Sequence, residues 1–216
     1  MNFFQVVFAN NPISGLFILI ACFIPDFRVG LATTLAGIIA TLAEMLLQMQ
    51  PWTAMRAGLT PLNAILVGSV ISSLYPTIYN AEMDAKMWIF ICIGSFISIF
   101  ICGGFANTIG KANIPYMTFP FNLVAICTFL AIKPADIPEN TLNLEEEIPI
   151  DWIRVGRGIL VSMSQVYAIN DIKASILMNI GVILCSPLLF LISLFGATMG
   201  SFAGKQFNHL KKYSKP

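Results

Sequence analysis

Charged side chains are scarce in this sequence. Aspartate, glutamate, lysine and arginine make up 11% of the 216 residues, whereas 57% are hydrophobic. Soluble domains carry about 25% charged and about 45–50% apolar residues, so this balance disfavours a water-soluble protein. The net charge of +1 gives no strong attraction for nucleic acid. The composition therefore predicts an all-α, multi-span protein surrounded by a lipid bilayer, with no nucleic-acid partner.

Metal-binding and catalytic patterns are also missing. The single histidine, His209, lies in the C-terminal tail, and the five cysteines lie inside apolar runs without a Cys-x-x-Cys pair. Such cysteines are typical of small buried hydrophobic residues, not of a disulfide or zinc framework. The sequence shows no nucleophile with a neighbouring base, so we expect no enzyme, no metal site and no cofactor.

Apolar runs fill most of the chain. A membrane-spanning helix needs about 20 apolar residues, and the candidate spans are 13–25, 27–47, 87–109, 116–132, 153–168, 174–186 and 187–203. The run between Pro61 and Pro76 is shorter, with Asn63 near its start. Such a run is typical of a half-helix that enters and leaves on one side of the membrane, where protein or a water-filled cavity satisfies its ends. A short core or interfacial helix is the alternative that the sequence leaves open.

A short motif occurs twice. The strings QVVFANNPISG at 5–15 and QVYAINDIKAS at 165–175 share Gln, Val and Asn at an offset of 160 residues. Each is followed by an apolar run and then by a second run rich in small residues. Inverted repeats with a substrate site at their interface are a recurring transporter design. In the first copy the half-helix follows near residue 59, and the same spacing from Gln165 passes Pro216, so we expect one complete repeat and the opening of a second.

Four segments follow from this organisation. Residues 1–132 form the first repeat, with a pore half-helix at about 60–75, and residues 133–152 form an acidic extramembrane loop. Residues 153–204 hold the last span of the first half and the opening spans of the second repeat, and residues 205–216 form a basic tail. The loop carries six acidic side chains and one lysine, so we expect water around it.

The polar side chains inside the predicted spans are mostly neutral. Glu44 is the single acid well inside a span, whereas a proton-coupled pump needs more buried ionisable groups. Amides and hydroxyls fit a small neutral polar solute better than an ion. Each also has a structural interpretation: Asn63 is a good helix cap, and Thr118 lies in NIPYMTFPFNL, where two prolines remove hydrogen bonds that its hydroxyl would replace.

Three motifs together resemble the urea transporter family: FFQVVFANNPISGL, AGLTPLNAILVG and NIPYMTFPFNL. That family opens with Q-V-x-F-x-N-N-P-x-S-G, has G-L-x-G-Y-N-A-x-L-V-G in its pore half-helix and L-P-x-x-T-x-P-F-N in a later span. Its second opening, G-x-x-Q-[IV]-Y followed by D-N-P, is approximated by SMSQVYAINDI. The resemblance runs along nearly the whole sequence, in the same order and at similar spacing.

The resemblance implies passive, channel-like transport of urea by a multi-pass protein of the plasma membrane. It implies a urea-transporter-like inverted-repeat fold, incomplete in this sequence, and a homo-oligomer, which is a trimer in the family. Carried over residue by residue, it implies urea contacts from Gln5 and Gln165 near the pore mouths, an aromatic wall at Phe8, apolar walls at Leu62, Leu66 and Val166, and a central hydroxyl at Thr118.

The sequence departs from the family pattern at several positions. Leu62 stands where the family usually has an aromatic residue, and Pro61 where it has glycine, which would widen the slot for urea. Asp171 and Ile172 replace Asn-Pro in the second opening, so that helix entry is expected to differ. The alternatives to urea transport are a truncated, non-conducting homologue that acts as a binding or regulatory subunit, and a channel for another small neutral solute.

Overall fold

The computed structural model describes residues 12–47, 59–109, 117–132 and 152–213, and these residues form helices without any strand. The helices are α1 (Pro12–Phe23), α2 (Phe27–Leu47), α3 (Leu59–Tyr79), α4 (Ala85–Thr108), α5 (Phe119–Ala131), α6 (Trp152–Gln165), α7 (Ile172–Cys185) and α8 (Pro187–Tyr213). The predicted all-α, multi-helix architecture is confirmed for this part of the chain.

Helix starts follow the capping signals of the sequence. Pro12 opens α1, where a missing N–H costs nothing. Asp171 caps α7, because its Oδ1 accepts a hydrogen bond of 2.8 Å from the backbone N–H of Ala174. The starts of α1 and α7, and those of α2 and α8, are each 160 residues apart. The offset seen in the motifs therefore reappears in where the helices begin.

The third helix is longer than the half-helix expected at about 60–75. It runs from Leu59 to Tyr79 and includes Pro76, whose ring removes the N–H that would bond the Ser72 carbonyl. The Thr77 hydroxyl donates to the Ser73 carbonyl at 3.1 Å and supports the turn at this point. By length and composition, α2, α3 from Thr60 and α4 are able to cross a membrane, and α3 is the most buried of the three.

The third helix lies between three other helices. It packs against α2, α4 and α5, and its residues from Thr60 to Ser72 are almost all buried. At the contact with α2, a Cβ added to Gly68 would lie 2.6 Å from the Ala32 carbonyl oxygen, so the two backbones meet where Gly68 has no side chain. This close approach fixes α3 against its neighbours.

The C-terminal helices join the N-terminal ones through α7. The α7 helix packs on α1 as well as on α6 and α8. The α6–α7 pair is tied by the hydroxyl of Ser175 and the amide of Asn179, which both donate to the Leu160 carbonyl. The α8 helix continues to Tyr213, into the segment predicted as a basic tail. Of the predicted acidic loop 133–152, all but Trp152 lies outside the described residues.

Apolar side chains are exposed along the outer faces of the bundle, while several hydroxyls and an amide are buried inside. On α4, for example, Ile89, Ile93, Phe96 and Phe100 are all exposed. In water this arrangement would leave a large apolar surface exposed to the solvent. It fits a protein whose surrounding solvent is lipid, which agrees with the membrane protein that the composition predicts.

Candidate functional site

The start of α5 is held by a side chain from α3. Asn63 is fully buried, its Nδ2 donates to the Met117 carbonyl at 3.2 Å, and its Oδ1 accepts from the backbone N–H of Phe121 at 3.0 Å. Met117 has a positive φ of 49°, so the backbone turns sharply just before the helix. One amide thus satisfies both a carbonyl freed by this turn and an N–H of the first helical turn, which normally need separate partners.

Thr118 occupies the cap position of α5 without acting as a cap. Its hydroxyl makes no capping hydrogen bond, whereas its backbone carbonyl accepts from the Asn122 N–H at 3.1 Å. The side chain is half-buried. Asn63 bonds the Met117 carbonyl and the Phe121 N–H on either side of Thr118, and the Thr118 hydroxyl does not take part in this capping.

The motif that begins at Gln165 forms a tight helix end. Ala168 has a φ of 58°, in the left-handed region, and its N–H donates to the Gln165 carbonyl at 2.9 Å. The Ile169 N–H donates to the Ser164 carbonyl at 3.0 Å. This pair of bonds is the Schellman motif, with alanine at the position where glycine is usual. The Ser164 hydroxyl donates to the Ile169 carbonyl at 2.7 Å, so α6 ends in a closed turn.

The same turn is tied to the middle of the bundle. The Ser73 hydroxyl of α3 donates to the Ala168 carbonyl at 2.7 Å. Since Ser73 and Ala168 are 95 positions apart, this bond joins α3 to the turn that ends α6. It places the backbone that carries Gln165 and Val166 beside the C-terminal half of α3.

A cluster of buried side chains fills the space between these elements. Leu66 is 2% exposed and lies in one cluster with Tyr167 and Ile169 of the turn, and Leu62 and Phe121 pack against that cluster. Helices α1 and α7 complete it with Ile18, Cys22, Ala174 and Met178. The structure therefore brings α3, the entry to α5 and the Gln165 turn into contact. We call this region the α3 junction: residues 62–66, 118–121 and 165–169.

The structure describes five of the seven residues predicted to contact urea. Leu66 is buried and Leu62 half-buried in the α3 junction, Thr118 is half-buried at the start of α5, and Gln165 and Val166 are exposed at the turn, Val166 by 57%. Gln5 and Phe8 lie outside the described residues. The roles of all seven as urea contacts stay predictions.

The α3 junction is electrically neutral. Its polar side chains are the amides of Asn63 and Gln165 and the hydroxyls of Thr118 and Tyr167, and the buried Tyr167 hydroxyl has no hydrogen-bond partner. The Ser73 and Ser164 hydroxyls, just outside it, donate to its backbone carbonyls. Among the described residues there is no group of three or more His, Cys, Asp or Glu side chains able to hold a metal ion. Hydrogen-bonding groups without charge, next to apolar walls, suit a small neutral polar molecule.

Three structural features of this region were not predicted from the sequence. Asn63 was interpreted as a cap of its own helix, and the structure shows that it bonds the start of α5, because the turn at Met117 and Thr118 comes to lie beside it. Ser73 had no predicted role, and a serine in an apolar helix gives no local signal for a partner 95 positions away. The sequence VYAI also gives no signal for the Schellman turn, because the glycine that usually marks such a turn is absent.

Comparison with known proteins connects this geometry with one family. A family model described as "Urea transporter" matches residues 2–212. The chain is 25% identical over 211 residues to Urea transporter 1 of Mus musculus, and 26% identical over 212 residues to Urea transporter 1 of Ovis aries. Each match covers 93% of this chain and 53% of the relative. The chain thus spans about half the length of the curated relatives it matches.

Proposed function

Since this chain belongs to the urea transporter family, we propose that it provides part of a passive, channel-like pathway for urea across the plasma membrane. The observation that carries the proposal is the α3 junction, where two motifs of the first repeat and the opening of the second come together. The family consists of transporters and not of enzymes, so no catalytic role is proposed.

The chemistry of the α3 junction supports urea as the solute. Urea is planar and neutral, with N–H donors along its edges and one carbonyl acceptor. Half-buried Leu62 offers apolar surface for its faces, with buried Leu66 in the cluster against which Leu62 packs, and the Thr118 hydroxyl and Gln165 amide offer oxygen acceptors for its edges. A fixed charge at this place would hold a hydrated ion more strongly, and conduction needs weak, repeated contacts.

Two features of the structure support Thr118 and Gln165 as the polar contacts. The Thr118 hydroxyl is released from capping by Asn63, so it keeps a donor and two acceptor sites for a solute. The backbone of Gln165 is held in a hydrogen-bonded turn while its side chain is exposed. Its amide therefore has a defined place and remains accessible to a solute. Oligomerisation, as in the trimers of the family, belongs to the same proposal.

Flux of urea into vesicles tests the proposal. The 216-residue chain is reconstituted, and uptake of labelled urea is compared with uptake by empty vesicles. Thr118→Val, which keeps the size and removes the hydroxyl, is expected to lower uptake about five- to tenfold, the equivalent of one hydrogen bond in the rate-limiting passage. Ser162→Ala is the matched control, because that hydroxyl bonds the Ile159 carbonyl of its own helix.

Two results would contradict the proposal. Uptake equal to that of empty vesicles would show that this chain does not transport urea. If Thr118→Val and Ser162→Ala lower uptake equally, the chain transports urea but the Thr118 hydroxyl is not one of its contacts.

A further inference from the structure

The α6 helix turns one face away from its neighbours. It packs on α7 and α8, and the exposed positions among the described residues of its first three turns are Trp152, Ile153, Gly156, Arg157 and Leu160. Their spacing of one, four, five and eight positions places all five along one side of the helix. On this side Arg157 lies between apolar side chains, of which Ile153 is 82% and Leu160 50% exposed.

The Arg157 guanidinium has no partner among the described residues. No described carboxylate forms an ion pair with it, and no described carbonyl or hydroxyl accepts a hydrogen bond from it. A guanidinium stays positively charged in proteins and offers five N–H donors. Since a charge that faces lipid is costly unless it is paired, we expect an acceptor from outside the helix bundle to satisfy it.

The backbone on both sides of Arg157 is open. Gly156 and Gly158 flank it, and a Cβ added to either glycine would meet nothing within 4 Å. Larger side chains at these two positions would fill the helix surface next to the guanidinium. Without them, a group larger than a water molecule is able to approach Arg157 along the helix.

The position of Arg157 along α6 indicates the depth of lipid headgroups. The helix has 14 residues and is about 21 Å long, shorter than a hydrocarbon core of about 30 Å. Segment 133–152 before it carries six acidic side chains, which favour water over lipid. Trp152 is 62% exposed at the helix start, a place typical of interfacial tryptophan. Arg157 follows about 8 Å further along the axis, from where a long basic side chain extends to the surface.

The phosphate of a phospholipid matches these features. Two of its oxygens accept two parallel N–H bonds from an arginine, a geometry that lysine does not offer. Ile153 and Leu160 supply apolar surface for the acyl chains of the same molecule. In a zwitterionic lipid the headgroup carries its own cation, whereas an anionic lipid brings an unbalanced negative charge that attracts a basic side chain.

We propose that Arg157 is the centre of a binding site for an anionic phospholipid, with the phosphate on the guanidinium beside Gly156 and an acyl chain along Leu160. The lipid neutralises a charge that the described residues leave unpaired, and it fixes the start of α6 at the membrane surface. The site is separate from the proposed urea pathway, because Gln165 lies eight positions, or about 12 Å, further along the helix.

Fluorescence quenching by brominated lipids tests the site without any flux measurement. Leu160→Trp is the reporter, and the three natural tryptophans are silenced by Trp52→Phe, Trp88→Phe and Trp152→Phe in the same 216-residue chain. The protein is reconstituted in phosphatidylcholine vesicles that hold an equal small mole fraction of brominated phosphatidylglycerol or brominated phosphatidylcholine. The anionic lipid is expected to be enriched about fivefold beside the reporter, as one basic contact at the membrane surface predicts.

Variants assign the preference to Arg157. Arg157→Gln removes the charge, so both lipids are expected to quench equally, and Arg157→Lys is expected to keep only part of the preference. Gly156→Leu fills the open space and is expected to weaken the preference although the charge remains. Arg28→Gln is the matched control, because Arg28 is also exposed at a helix start but lies beside Asp26, whose carboxylate accepts from the Arg28 backbone N–H at 2.8 Å.

Four results would overturn the proposal. Equal quenching by both lipids in the reporter chain would show that no anionic lipid is preferred. A preference that survives Arg157→Gln, or that Arg28→Gln lowers as much, would have its cause elsewhere. Loss of the preference in excess inorganic phosphate would indicate a site for a free anion. A preference that appears only with Glu145→Gln, Glu146→Gln and Glu147→Gln together would show that the chain's own carboxylates occupy Arg157.

Discussion

Replacing Asn63 with alanine removes the amide that ties the start of α5 to α3. The change deletes a donor 3.2 Å from the Met117 carbonyl and an acceptor 3.0 Å from the Phe121 N–H. Each lost hydrogen bond costs about 0.5–1.5 kcal/mol, so the pair predicts a loss of about 1–3 kcal/mol in the free energy of unfolding. For a chain of this length, that corresponds to a decrease of about 2–12 °C in the unfolding midpoint.

The assay compares Asn63→Ala with Asn122→Ala in the purified chain. Asn122 lies in α5 one residue after Phe121 and is exposed, so its side chain can be removed without breaking the contact with α3. The control is expected to change the midpoint little. In the vesicle assay, Asn63→Ala should also lower urea uptake more than Asn122→Ala does, because the backbone that carries Thr118 is no longer fixed.

Two results would contradict this role of the Asn63 amide. If both variants unfold at the same temperature, the Asn63 amide does not hold the two helices together. If Asn63→Ala is less stable but conducts urea like the control, the bridge is structural and the position of Thr118 does not depend on it.

Three further predictions concern stability, and each is measured by thermal unfolding. Ala168→Gly should raise the free energy of unfolding by about 0.5–1 kcal/mol, because glycine accepts the left-handed φ of 58° without strain, and an unchanged or lower stability would contradict this. Asp171→Ala should lower it by about 1 kcal/mol through loss of the cap on α7, whereas Asp171→Asn should keep most of it; equal losses would exclude capping as the cause. Gly68→Ala should lower the free energy of unfolding by about 1–3 kcal/mol, because the new Cβ would lie 2.6 Å from a carbonyl oxygen of α2. The control Gly104→Ala, whose Cβ meets nothing within 4 Å, should be neutral or stabilising.

The sequence predicted the helices well because their signals are local. Apolar runs and Pro12 as an opening residue act within a few positions, and the helices begin close to where these signals place them. The motif offset of 160 residues also equals the spacing between the starts of α1 and α7 and of α2 and α8, whereas the division into two repeats stays a prediction. The family could be identified from the sequence because three motifs in one order are far more specific than any single motif.

Helix length was less predictable where signals conflict. Pro76 normally ends a helix, and α3 nevertheless continues to Tyr79. Packing against its neighbours, with Tyr75 buried and Tyr79 bonded to the Phe129 carbonyl at 3.2 Å, stabilises these last residues. Tertiary contacts thus outweigh a local preference that the sequence alone would favour.

What the sequence alone determined is a helical membrane protein of the urea transporter family with a repeated opening motif, because composition, caps and motifs are properties of neighbouring residues. Only the tertiary structure decided which polar groups the fold uses. Asn63 bonds a backbone 54 positions away, Ser73 bonds one 95 positions away, and Glu44 is left without a partner. A hydrogen bond depends on which helices meet and at what angle, and that is set by the packing of the whole bundle.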